Sequence, residues 1–363
     1  MIPQADPSLR IERFRSEIDR AIANVVSSKH YILGPAVEAF EADFATYLGV
    51  KHCVGVDSGT DALALALRGL GIGAGDEVIT TALTFSGTAQ AILHCGARPR
   101  FVDVDPVSRC IDPAAVEAAI TERTAAVVPV HLFGHSADMP WLMNIAVRHG
   151  IAVLEDCAQA HGASINGRRL GSIGHASAFS FYPTKNLGGI GDSGAIVTND
   201  DLLATRLRSL RNYGMQESRL ISSTMGFNSR MDELQAAILS VLLKHLDAGN
   251  SERLALADEY RRELAGLDLL LPPDDIGAVY HQFAIALQNR DKLAYRLREE
   301  AGVNTAIHYH PTLNRHPAFK DAISDQLHHS EWLSDRLLSL PIQPEVVAGK
   351  IETIARSIAK VIE

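Results

Sequence analysis

FSFYPTKNLGGIGDSGA, residues 179–195, is the stretch whose reading decides the fold. A β-rich run at 178–182 stops at Pro183, and another at 195–198 resumes after Gly188, Gly189 and Gly191. Lys185 stands between the two runs. Most lysines are solvated surface residues. Here apolar and aromatic residues precede the lysine and glycines follow it, which suits an amine partly withdrawn from water in a loop that approaches a ligand closely. Such an amine has a lowered pKa and can form a Schiff base with an aldehyde.

Upstream, residues 52–56, 77–81, 125–130 and 151–154 read as further strands. Helical stretches lie between them, among them 62–70, ended by Gly71, and 139–148, ended by Gly150. This alternation predicts the α/β class, with a mostly parallel sheet covered on both faces in three layers. Downstream, MDELQAAILSVLLKHL at 231–246 has apolar residues at helical spacing and connects the large unit to the C-terminal third of the chain. The boundary is placed near Asn250, giving a large domain over 1–249 and a small α+β domain over 250–363. The latter is read as helices at 252–267 and 291–300, strands at 279–287 and 305–309, and a final helix at 350–362.

With 363 residues, 47% of them hydrophobic, the chain can bury a substantial core. A net charge of −9 supplies no basic field for phosphate backbones, so nucleic-acid binding is not expected. No signal-like start and no run of roughly 18 uncharged apolar residues is seen, so a membrane association is not expected either and the location is read as cytoplasmic. The four cysteines lack any CxxC spacing and the fifteen histidines lack HExxH, so no metal is expected.

Two more motifs carry chemistry. SGTDALALAL, residues 58–67, follows a strand and opens a helix, so Gly59, Thr60 and the free amides of the helix N-terminus suit an anion such as a phosphate. An ordinary strand-to-helix turn capped by Ser58 or Thr60 fits the same residues. EDCAQAHGA, residues 155–163, ends the apolar run IAVL in two carboxylates. Ligands of open α/β sheets sit beyond the carboxyl ends of strands, which places Asp156 to face one. A buried carboxylate needs a cationic partner, and a protonated pyridine nitrogen would serve. A helix cap or a structural ion pair is the plainer alternative.

Together with ILGPAVEAFE, GDEVITTALTF, VHLFGHSADM, LRNYG and NSRMDELQAAIL, these blocks resemble the DegT/DnrJ/EryC1/StrS sugar aminotransferases of the fold type I pyridoxal-phosphate group. They run in the expected order from about residue 31 to 239. The resemblance implies a homodimeric enzyme that uses pyridoxal 5′-phosphate to move an amino group from L-glutamate to a nucleotide-linked keto-sugar. It implies Lys185 as the cofactor-bearing lysine, Asp156 as partner of the pyridine nitrogen, Gln159 near O3′ and Phe85 stacked on the ring. Gly59, Thr60 and Ser180 would hold the phosphate, joined by Asn228 from the other subunit. Tyr182, His308 and Tyr309 match sugar-site residues. FYPTKNLGG, RNYG and NSRMDELQAA look more like members that aminate C-3 of a dTDP-linked 6-deoxy sugar; C-4 amination is the alternative. A sugar dehydratase fits less well because those relatives replace the lysine by His, and a non-catalytic regulator would keep only the pocket. The chain departs from the family pattern at His310 to Arg315, where relatives carry a Pro-rich run ending in His, and at Ser193, where Gly is common.

Overall fold

The computed structural model describes residues 1–215 and 220–362. Its strands are β1 (His52–Val56), β2 (Glu77–Thr81), β3 (Arg98–Val102), β4 (Thr124–Val127), β5 (Ala152–Asp156), β6 (Ser164–Ile165), β7 (Arg168–Arg169), β8 (Ala176–Ser180), β9 (Gly194–Thr198), β10 (Phe283–Ala286), β11 (Ile323–Ser324) and β12 (Leu337–Leu340). Eight form one sheet in the order β1-β9-β8-β5-β4-β2-β3-β11, in which β9 runs against both neighbours and the other pairings are parallel.

Side chains alternate across a strand, and both faces of this sheet are covered. Ile79, Val127, Val153, Phe179 and Val197 meet the helices Pro35–Leu48, Met139–His149 and Glu233–Leu243. Their neighbours Val78, Ala126, Leu154, Ala178 and Ile196 meet Gly59–Gly69 and Asp201–Leu210. This is the three-layer α/β/α arrangement. A further core joins the end of Leu246–Glu263 to β10, β12 and the helices Arg290–Ala301 and Ile351–Ile362 through Tyr260, Phe283, Leu297, Leu338 and Ile354.

Three features depart from the sequence reading. The helix Leu246–Glu263 runs straight through residues 249 and 250, across the gap between the helical stretches read at 231–246 and 252–267. Asn250 is held by tertiary bonds: its Nδ2 donates to the His161 carbonyl at 2.8 Å and its Oδ1 accepts from Asn186 Nδ2 at 2.9 Å. The strand expected at 305–309 is reduced to one bridge, Ala306 with Ser339. The chain leaves β12 there because the Tyr309 side chain turns toward the large sheet, where its hydroxyl meets Gln159. Finally, β11 adds to the far edge of the large sheet, pairing Ile323 with Arg100 of β3. Pro99 lies one residue outside that pairing, at a position where a missing N–H is tolerated.

Glu233 fastens the layer that lies under the lysine loop. Its buried carboxylate accepts from the amides of Gly34, Ala36 and Val37 at 2.8, 2.9 and 2.9 Å, at the N-terminus of Pro35–Leu48. Gly34, the N-cap, offers no side chain for this. Glu233→Ala is therefore expected to cost about 2 kcal/mol by stranding buried donors, read as an earlier urea midpoint; an unchanged midpoint would contradict this account of the cap.

Candidate active site

Because β9 runs against both β1 and β8, those two strands run together, and their carboxyl ends share an edge with those of β2, β4 and β5. At that edge the chain turns from β1 into the helix Gly59–Gly69. Ser58 caps it by accepting from the Asp61 amide at 3.1 Å, leaving the preceding amides without intrahelical partners. The turn is pressed onto the end of β8: a Cβ on Gly59 would lie 2.5 Å from Ser180 Cβ, and one on Gly194 would lie 2.4 Å from the Ser58 carbonyl oxygen. The glycines allow close approach of chain to chain, and the result brings Gly59, Thr60 and Ser180 together.

Beside β8, β5 delivers its paired acids to opposite faces. Glu155 points into the core, where it accepts from His131 Nε2 at 3.1 Å, from the amides of Gly171, Ile173 and Gly174, and from the Ser177 hydroxyl. His131 Nδ1 accepts the Ala137 amide, which fixes the ring proton on Nε2. Burial opposes ionisation of Glu155, but these donors hold its pKa below the ordinary value. His131, Glu155 and Cys157 converge within 4.8 Å, yet the histidine nitrogens and the carboxylate are already engaged in this network.

Asp156 faces the site edge, buried, and accepts from Thr88 Oγ1 at 2.8 Å and the Ala158 amide at 3.1 Å. Burial raises its pKa, opposed by Thr88, the Ala158 amide and Lys185. Lys185 is half-buried, its backbone N–H donating to the Tyr182 carbonyl at 2.8 Å. Burial lowers its amine to about 8, with the Asp156 charge pulling the other way. His161 and His308, lowered by burial and then by Lys185 to about 3 and about 4, stand near it as neutral rings, as does His281.

The lysine loop is gripped from several sides. Gln235 accepts from the Ile190 amide at 3.0 Å and donates to its carbonyl at 2.8 Å, and a Cβ on Gly189 would collide with Gln235 Oε1. Asn186 bonds Asn250, the Val279 carbonyl and His281. Arg10 reaches the same loop from the N-terminus. Sequence reading found none of these partners, nor Thr88, since each is far away along the chain; the glycines of the loop were the visible signal that something packs closely there.

Gln159, also buried, accepts the Phe133 amide at 2.7 Å and donates from Nε2 to Tyr309 Oη at 2.9 Å. Tyr309 and the Phe85 ring, which is 58% exposed, have centroids 6.1 Å apart. His308 Nδ1 pairs with Ser339 Oγ at 2.9 Å. Tyr182 is exposed at the loop. Asn228 is exposed on a segment fastened beside the SGT turn, where Ser229 Oγ donates to Asp57 at 2.8 Å. Lys185, Asp156, Gln159, Phe85, Tyr309, Gly59, Thr60 and Ser180 therefore belong to one edge of the sheet, with Asn228 beside it.

One consequence is titratable. Desolvation disfavours the charged amine, so in cofactor-free protein Lys185 is protonated below and neutral above a midpoint near 8. Competitive acylation across pH should show its reactivity rising through that value, ahead of ordinary lysines at about 10.4; a midpoint with the latter group would contradict the burial argument.

The family model described as DegT/DnrJ/EryC1/StrS aminotransferase family matches residues 12–359. A pleiotropic regulatory protein of Geobacillus stearothermophilus is 44% identical, covering 99% of this chain and 98% of the relative. The dTDP-3-amino-3,4,6-trideoxy-alpha-D-glucose transaminase of Streptomyces venezuelae is 47% identical, with 95% and 92% covered. The crystal structure of S. venezuelae DesV superposes with a TM-score of 0.96 at 45% identity, covering 100% of this chain and 98% of that one. The chain belongs to the DegT/DnrJ/EryC1/StrS aminotransferase family.

Proposed function

We propose that this chain transfers an amino group from L-glutamate to C-3 of a nucleotide-linked, dTDP-type 3-keto-6-deoxyhexose, using pyridoxal 5′-phosphate held at the sheet edge. The observation that carries the reading is the convergence there of an amine with lowered pKa, a buried carboxylate and a helix N-terminus. The residues fit the cofactor on chemical grounds. Lys185 suits an aldehyde, Asp156 suits a pyridine N–H, and the amides of Gly59 and Thr60 with the Ser180 hydroxyl suit a phosphate. Bound there, the cofactor supplies an electrophilic carbon and an electron-withdrawing ring.

The protein's own groups then divide the work. Lys185 Nζ, once free, takes the proton from the donor's Cα and later returns one to the sugar carbon that gains nitrogen. Asp156, oriented by Thr88, holds a proton on the ring nitrogen by charge. Gln159, fixed by the Phe133 amide and Tyr309, would offer its amide to an oxygen on the ring, and the exposed Phe85 ring would give it a stacking face. Tyr182, His308 and Tyr309 line the sugar side.

Asn228 would act on the phosphate of a second copy, so the active unit is a homodimer. Tyr31, Ile32, Ile190 and Leu234 are exposed around the start of the helix Glu233–Leu243 and the lysine loop, an apolar surface that supports such a partner. Among the described residues no helix is long and apolar enough to cross a membrane.

The C-3 assignment draws on the loop residues around Lys185 and on the named product of the Streptomyces relative. Purified protein given pyridoxal phosphate, nitrogen-15 glutamate and either a 3-keto or a 4-keto dTDP-6-deoxyhexose should place the label at C-3. Label only at C-4 would reverse the position, and no transfer to either sugar would favour a regulator, as the name of the Geobacillus relative suggests. Asp156→Asn is expected to lower turnover about a hundredfold while cofactor still binds; full turnover in that variant would remove the carboxylate from the scheme.

A further inference from the structure

The first residues of the chain are tied to its C-terminal region. The Ile2 amide donates to the Gly302 carbonyl, Gln4 Nε2 donates to Gln282 Oε1 at 2.7 Å, and the Asp6 backbone exchanges two bonds with the Gln343 side chain, each 2.8 Å. Asp6 also caps the helix Pro7–Arg13, accepting from the Ser8 amide at 3.0 Å. The helix is thus fixed at its entry, and Arg10 projects from it toward the lysine loop.

There its guanidinium makes four hydrogen bonds, all to backbone carbonyls. Nη1 donates to Lys185 at 2.7 Å and Asn186 at 3.0 Å; Nη2 donates to Pro183 at 2.8 Å and Gly188 at 3.1 Å. Carbonyls before, at and after the lysine are gathered on one planar cation. Gly188 has to be glycine for this closure: a Cβ would lie 2.8 Å from Arg10 Nη2 and 2.5 Å from the Tyr182 carbonyl oxygen. No carboxylate takes part in the four bonds, so the charge is directed at backbone dipoles, and burial lowers the guanidinium pKa against the pull of Glu345. A rigid fork of donors can serve several acceptors at once, whereas a lysine ammonium is a single point.

We propose that Arg10 is a positioning residue for Lys185, whose guanidinium gathers the loop carbonyls and fixes the backbone from which the reactive amine projects. The inference rests on the reading of Lys185 as that amine. It also gives the N-terminal segment a task in the reaction, since the strap that carries Arg10 is bound to the same C-terminal region that supplies His308 and Tyr309.

The test uses the full chain with Arg10→Lys, which keeps charge and stem, and Arg10→Ala. Competitive acylation of cofactor-free protein, read by peptide mass, reports the Lys185 midpoint without any turnover. Loosening the loop admits water to the amine, so both variants should shift the midpoint up from about 8 by roughly one pH unit toward an ordinary lysine. With cofactor, kcat should fall about tenfold or more while KM for the sugar moves less than about twofold, since a misplaced group damages the reaction more than substrate binding. An unchanged midpoint in both variants overturns the proposal even if turnover drops, and so does loss of the folded near-ultraviolet signal in both, which would make Arg10 a folding determinant only. Failure of the unaltered protein to take cofactor on Lys185 would instead sink the functional reading, independently of the variants.

Discussion

The balance on the Lys185 amine organises this molecule. Burial pushes its pKa down to about 8, and the buried Asp156 carboxylate pulls it back up. Either influence alone would spoil the group: full hydration gives a cation without nucleophilic character, and a dry pocket with no anion gives a site that cannot hold a cationic ring. The two groups come from different strands, β8 with its following loop and β5, so their relation depends on a sheet that keeps both carboxyl ends on one edge. Three neighbouring histidines kept neutral by burial leave that balance to the lysine and the aspartate.

Holding a loop at that edge takes more than the sheet. Gln235 acts as a substitute strand for Ile190, Asn186 is tied to Asn250 and His281, and Arg10 closes the carbonyl side. Glu233, two residues before Gln235, anchors the same helix to the layer beneath by accepting three amides. Glycines at 188, 189 and 194 have a common physical reason, in that a side chain at each would strike these partners or the SGT turn. The glycine-rich sequence therefore records close packing of chain on chain as much as room for a ligand.

Much of this is legible in the sequence. The runs 52–56 and 77–81 coincide with β1 and β2 because β-branched and apolar residues predominate in these buried strands. The motifs at 58–67, 155–163 and 179–195 converge because each sits where a strand gives way to a turn, which is a local property. What escaped was set by distant partners. β3 carries Pro99 and two arginines in five residues, β11 has two residues, and both are strands because they complete an edge. The helix Leu246–Glu263 passes through Gly249 and Asn250 because Asn250 finds bonds in the site. Segment 305–309 has strand-like residues but spends Tyr309 on Gln159. Arg10, in a seven-residue helix at the start of the chain, carries no local mark of its role.

The central claim is that Lys185 is the amine that takes the cofactor. Borohydride reduction of the protein after incubation with pyridoxal phosphate, followed by digestion and mass measurement, tests it directly. The account predicts one modified peptide, the one containing Lys185, and none in a Lys185→Ala variant. A label on other lysines with Lys185 untouched, or no label at all, would contradict it.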